Sequence, residues 1–193
     1  MEIVDKKIVV DVNRPYALSK FSEAFTSILS ETLKNEYEKI IILCIGSDRS
    51  TGDCLGPLVG YKLGLIKYKD VSVYGNLNEP VHAKNLQDVI DQIYNEYENP
   101  FIIGIDASLG EVKNIGCISI GSGPLKPGAG IYKNLPVIGD MHITGTVNIG
   151  GFLEFMILQN TRLGLVMKMA DIISNGIHYG IWKVILNSKL EGV

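Results

Sequence analysis

Two stretches of the chain, residues 40–45 (IIILCI) and 101–105 (FIIGI), are apolar with no alternation. A strand carries that pattern when helices cover both its faces, so both segments are predicted to be buried central strands. Elsewhere the apolar residues return at steps of three and four, the spacing of one helical face. Leu18, Phe21, Phe25, Ile28 and Leu29 predict a helix over 16–34. Leu55, Leu58, Val59 and Leu63 predict another that starts near Asp53, and Leu86, Val89, Ile90 and Ile93 a third over 83–97. Short apolar segments at 7–12, 71–74 and 115–120 predict further strands. The last third is read as helical over 146–158 and 161–173, while 176–187 fits either a helix or a strand.

Strand and helix therefore alternate along the chain. That order predicts an α/β fold, a central, mostly parallel twisted sheet between two helical layers. Two segments break the periodicity. A glycine-rich loop, 46–52, closes the first central strand, and residues 121–140 (GSGPLKPGAGIYKNLPVIGD) are read as one long loop dense in glycine and proline. A loop of that length inside a compact domain is usually either functional or disordered.

Length and composition narrow the picture. The 193 residues suit one domain spanning 1–193, and 46% hydrophobic with 20% charged residues is the balance of an ordinary folded protein. A net charge of −3 provides no basic surface for nucleic acid, so the expected partner is a protein or peptide substrate, with a homo-oligomer compatible. Cys44, Cys54 and Cys117 are odd in number and form no CxxC, which argues against both a disulfide framework and a structural zinc site. Together with an N-terminal stretch that is charged almost at once, and apolar runs too short to span a bilayer, this predicts a cytoplasmic protein that does not enter membranes.

The candidate chemistry lies after the two central strands. Ligands of open α/β sheets gather at the carboxyl ends of the strands. There the sequence reads CIGSDRSTGDCLGP over 44–57 and IIGIDASLG over 102–110. If the two strands are neighbours, Asp53 and Asp106 meet at one edge. Paired carboxylates either share a proton and act as acid and base toward water, or hold a divalent cation. Taken alone, Asp53 is equally readable as a helix cap. Asp48 and Arg49 either pair with each other or line the site. Lys126 either neutralises charge near the acids or is a solvated loop lysine. The loop GSDRSTGD lacks the Gly-Lys-Ser/Thr ending of a phosphate-binding P-loop. Of His82, His142 and His178, His142 is the preferred site candidate because it follows the long loop; no HxH or HxxxH spacing supports a metal centre. Cys54 at a helix start is a lesser nucleophile candidate.

The blocks CIGSDRSTGDCLGPLVG, VHAKNL, IDASLG, GPLKPGAGIYKNLP and ITGTVNIGGFLEFMILQNTRL, in this order between about residues 40 and 173, resemble the YyaC-type sporulation protein family. That family is similar, more distantly, to the germination protease and to the hydrogenase-maturation endopeptidases. The resemblance implies a three-layer, phosphorylase/hydrolase-like sandwich and a sporulation or germination endopeptidase located in the forespore or mother cell of a spore-forming bacterium. It also implies that Asp53 and Asp106 are the catalytic acids; on the residues themselves, Asp48, Arg49, Lys126 and His142 are expected to bind substrate around them. Lys126 stands where the related peptidases place a histidine, which favours an acid pair with no cofactor over a divalent-metal site. Two other readings remain open at this point: a metal-dependent peptidase of the maturation type, and a non-catalytic sporulation assembly or binding protein on the same fold.

Overall fold

The computed structural model describes residues 7–33, 37–65, 68–128 and 135–191, and side chains as far as 184. Strand β1 (Lys7–Asp11) is followed by helix α1 (Ala17–Thr32), strand β2 (Lys39–Cys44) and helix α2 (Leu55–Leu63). Then come strand β3 (Val71–Tyr74), helix α3 (Leu86–Glu96) and strands β4 (Pro100–Gly110), β5 (Cys117–Ser122) and β6 (Met141–Ile149). A short helix α4 (Glu154–Gln159) and a long helix α5 (Leu163–Glu191) end the chain.

The six strands form one sheet in the order β1-β5-β6-β4-β2-β3. β3, β2, β4 and β6 pair in parallel, while β5 and β1 join antiparallel at one edge. Successive strand residues point to opposite faces, so β2 and β4 divide their side chains between two cores. Ile40, Ile42, Phe101, Ile103 and Ile105 pack with α1, α2 and α5 on one face. Ile41, Leu43 and Ile102 pack under Leu86, Ile90 and Ile93 of α3 on the other. The result is the expected α/β sandwich of three layers. Among the described residues, no helix is long and apolar enough to cross a membrane.

Three elements differ from the sequence reading, and one open alternative is decided. Residues 141–149, of which 141–145 are assigned to no element and 146–149 to a helix, are strand β6. Met141, Ile143 and Val147 are buried in alternation with His142, Thr144, Thr146 and Asn148, a period of two. The helix expected from 146 is only Glu154–Gln159. β4 does not stop before Asp106 but runs on to Gly110, held by pairing with β6 across a register shift between Ser108 and Leu109. The ambiguous stretch 176–187 is helical, a continuation of α5. Part of the expected loop is ordered by an antiparallel bridge between Leu125 and Ile138; residues 129–134 of the family block GPLKPGAGIYKNLP lie outside the described residues.

Helix α5 crosses α1 at its glycines. A Cβ at Gly176 would lie 2.2 Å from Cδ1 of Phe21, and one at Gly180 2.5 Å from Cδ1 of Phe25. Both rings are fully buried and stack on one another with centroids 6.2 Å apart. Gly176→Ala gains about 1 kcal/mol of helix propensity, but overpacking a ring that cannot retreat costs about 1–3 kcal/mol. The expected result is a net loss of about 1 kcal/mol in urea unfolding at unchanged slope. A stabilised variant would mean that the helix contact is looser than the distances state.

Candidate functional site

The turn from β2 into α2 carries Asp53 over the end of the sheet. Two glycines allow that approach. Gly46 has φ +140°, a backbone conformation that L side chains rarely adopt, and a Cβ there would fall 2.0 Å from the Asp53 carbonyl oxygen. A Cβ on Gly56 would fall 2.1 Å from the Ile45 carbonyl oxygen, so only glycine lets the first turn of α2 rest on the end of β2. The Gly46 N–H donates to Val81 O (2.8 Å), the Ser47 N–H to Asp53 O (3.3 Å) and the Gly52 N–H to Leu158 O of α4 (2.8 Å). The loop is thereby tied to the chain entering α3 and to α4. The cap position of α2 is Cys54, which makes no side-chain capping bond. The Asp53 carboxyl is thus left for other work than capping.

Asp106 arrives from β4, opposite Thr144 of β6. It is buried, and its Oδ1 and Oδ2 accept the N–H groups of Ala107 (2.8 Å) and Gly128 (3.1 Å). Burial pushes its pKa up to about 7; the negative charge of Asp53 adds to the rise, and the two N–H groups oppose it. The Asp53 carboxyl is half-buried and also raised, first by desolvation, while the Ser47 N–H and the positive charge of His82 favour its ionised form. The two acids are therefore unequal. Burial holds the proton on Asp106 up to about pH 7, while at the half-buried Asp53 the Ser47 N–H and His82 work against the rise.

Both acids line two adjoining cavities, one of about 500 Å³ and one of about 130 Å³, and Gly128 and Leu158 also stand in both walls. Arg49 stands at the larger and Lys126 at the smaller, each exposed. Asp48 is exposed and lines neither; its charge contributes to raising the pKa of the Cys54 thiol, behind burial and Asp53. That thiol is buried and donates to Thr51 O (2.9 Å), the opposite of an activated thiolate. His142 shares the α3 side of the sheet with Asp106, but its Nδ1 meets Gly123 O (3.1 Å) and it lines neither cavity.

The histidine at the larger cavity is His82. Val81 bridges Ile45 as an extension of the sheet beside β2, and the His82 N–H donates to Asn85 Oδ1 (2.8 Å). Its Nδ1 is shielded from solvent and has no hydrogen-bond partner among the described residues, as has the Oγ of Ser50 in the same wall. Phe155, Leu158 and Gln159 of α4 close the cavity. The sequence reading did not assign His82 or α4 to the site, although both lie in family blocks, VHAKNL and ITGTVNIGGFLEFMILQNTRL. Among the described residues, no three His, Cys, Asp or Glu side chains are grouped to hold a metal ion.

Residues 13–176 match the family model described as "Protein of unknown function (DUF1256)". The chain belongs to the DUF1256 family. It is 53% identical over 152 residues to the uncharacterized protein YyaC of Bacillus subtilis (strain 168), covering 78% of this chain and 74% of that protein. Among solved structures it is similar to the [NiFe] hydrogenase maturation protease HycI from Thermococcus kodakarensis KOD1, with 14% identity and a TM-score of 0.46 over 80% of this chain and 98% of that one. A likeness that loose transfers no residue role. Asp53, Asp106 and His82 all fall within the DUF1256 match.

Proposed function

We propose that this DUF1256 protein is an endopeptidase that hydrolyses a peptide bond of a protein substrate with the acid pair Asp53 and Asp106. The observation that carries this reading is the inequality of the pair in a shared cavity: a buried acid that keeps its proton to about pH 7, beside a more exposed acid whose charge a histidine favours. Such a division of roles is what an acid–base pair needs. Asp53 takes a proton from a water molecule as the oxygen attacks the scissile carbonyl carbon. Asp106 gives its proton to the carbonyl oxygen. The tetrahedral adduct then collapses, its C–N bond breaks, and a proton passes to the leaving nitrogen. One water is consumed, a carboxyl and an amine are released, and the pair again holds one proton. No cofactor enters this scheme.

The resemblance of the sequence blocks to sporulation proteins supports a substrate among the proteins of spore formation or germination, met in the cytoplasm of the forespore or mother cell. Arg49, Lys84 and Lys126 at the cavity mouths would face the substrate chain. The test is to incubate the purified protein with small acid-soluble spore proteins and identify new termini by mass spectrometry, with and without a chelator. Cleavage that survives chelation is expected. Cleavage only with added metal would favour a metallopeptidase, and no cleavage under any condition a binding protein.

The pair also sets the pH dependence. kcat/KM should rise as Asp53 ionises and fall as Asp106 loses its proton near pH 7, giving a maximum on the acid side of neutrality. A rate that climbs steadily through pH 8 would contradict the assignment of Asp106 as the acid.

A further inference from the structure

The two acids stand on the partition between two unequal compartments. The larger, about 500 Å³, is walled by Ile45, Leu135, Phe155 and Leu158. The segment that supplies Phe155 and Leu158 also exposes Phe152 and Met156. The smaller, about 130 Å³, carries the hydroxyl and charged side chains of Ser108, Lys126, Thr144 and Glu154 beside the apolar Ala107, Leu109 and Leu158. A cavity of ~150 Å³ is what one benzene ring fills, so an aromatic side chain does not fit the smaller compartment with its own backbone. Glu154 lines it, and the Oε2 of that side chain is shielded from water and accepts no hydrogen bond among the described residues. A buried carboxylate oxygen in that state is destabilised until a donor reaches it.

Neighbouring side chains of an extended peptide point to opposite sides. A chain lying across the partition therefore sends one residue into each compartment and presents the bond between them to the acids. We propose that the site selects a bulky apolar residue in the larger compartment and a small hydroxylic residue, serine or threonine, in the smaller, where its hydroxyl donates to Glu154. The position of the cut rests on the hydrolase reading above; the order of binding does not.

Five acetylated peptides with identical flanks and central Phe-Ser, Ser-Phe, Phe-Phe, Ser-Ser or Phe-Ala pairs, each with an environment-sensitive fluorophore, separate the two ideas. Binding is measured to the full-length Asp53→Asn variant and cleavage is followed with wild type. One of Phe-Ser and Ser-Phe should bind about tenfold or more tighter than Phe-Phe and Ser-Ser, because a compartment is either overfilled or left empty in the latter two. If Phe-Ser is the favoured order, Phe-Ala should bind several-fold more weakly than Phe-Ser; if Ser-Phe is favoured, an Ala-Phe peptide takes the same part. Wild type should cut the favoured peptide between its two central residues. Equal binding of all peptides, no binding of any, or tight binding of Phe-Phe overturns the inference, and equal binding of the alanine peptide removes the hydroxyl from it. Ordered binding with no cleavage by wild type leaves the selectivity standing and removes the hydrolase.

Discussion

Asp106→Asn should lower kcat/KM for peptide cleavage by about 10³-fold or more, and Asp53→Asn should do the same. The two variants fail for different reasons. Asparagine at 106 still fits the β4 position and can accept one of the two N–H groups from Ala107 and Gly128. It can even donate to a carbonyl oxygen, but it has no proton to give up. Asparagine at 53 keeps the turn, because the Asp53 carbonyl oxygen and the glycine contacts around it are unchanged and an amide oxygen still accepts the Ser47 N–H. What is lost there is the base. Because the acids act as one unit, the double variant should be no slower than the worse single variant by more than a small factor. The measurement is the initial rate of product formation by mass spectrometry, with circular dichroism and melting curves to show that the folds are intact. Retention of a tenth of the wild-type rate in either folded variant would sink the acid-pair scheme.

The sequence carried the two acids because each follows an uninterrupted apolar strand, and such runs are hard to read as anything but central strands. Their adjacency was an inference from fold class, and β2 and β4 are indeed neighbours in parallel register, Ile41 opposite Ile102. The layers followed from the same periodicities. The parts that stayed hidden are those where the local signal is weak or contradicted. β6 alternates apolar and polar residues, but glycine at 145 interrupts its apolar row, and the following Phe152–Leu158 stretch draws the predicted helix forward. β4 beyond Asp106 has small and half-buried residues, Ala107 and Ser108, and is held as strand by β6. A strand edge that depends on its partner cannot be read from its own residues.

Histidine shows the same limit more sharply. His142 was favoured because it follows a long loop with no other apparent role, yet that position is a strand residue whose ring meets the Gly123 carbonyl. His82 reaches the acids because Val81 adds a single bridge beside Ile45, a contact between segments 36 residues apart in sequence with no local pattern to announce it. α4 reaches the cavity through one backbone bond, Gly52 N–H to Leu158 O, and through the absence of a side chain at Gly52, where a Cβ would sit 2.7 Å from Leu158 Cδ2. Both arrangements are tertiary facts. The residue types were in view; the geometry that gives them a task was not.

The second large effect concerns stability. Asp106 ionises near its ordinary value of 3.8 in the unfolded chain and near about 7 when folded. Below about pH 4 both states hold the proton and the residue contributes no pH dependence. As pH rises further, the unfolded chain releases a proton that the folded chain retains. That release lowers the free energy of the unfolded state, so the folded state loses stability by up to about 1.4 kcal/mol per pH unit until pH ~7, where the loss levels off. The full span is about 4 kcal/mol as an upper figure, and the raised Asp53 acts in the same direction. Asp106→Asn removes the slope. At about pH 4 to 5 the variant should be less stable than wild type by ~1–3 kcal/mol, because an amide NH₂ now faces one of the two backbone N–H groups. Near pH 8 the ordering should narrow or reverse, since wild type then buries a charge and the variant does not. For a chain of this length, 4 kcal/mol corresponds to roughly 8–16 °C in Tm, well within reach of thermal melts in a series of buffers. Melting curves for the two proteins that stay parallel from pH 4 to 8 would show that Asp106 titrates as an ordinary carboxylate, and the proton that the proposed chemistry assigns to it would not be there.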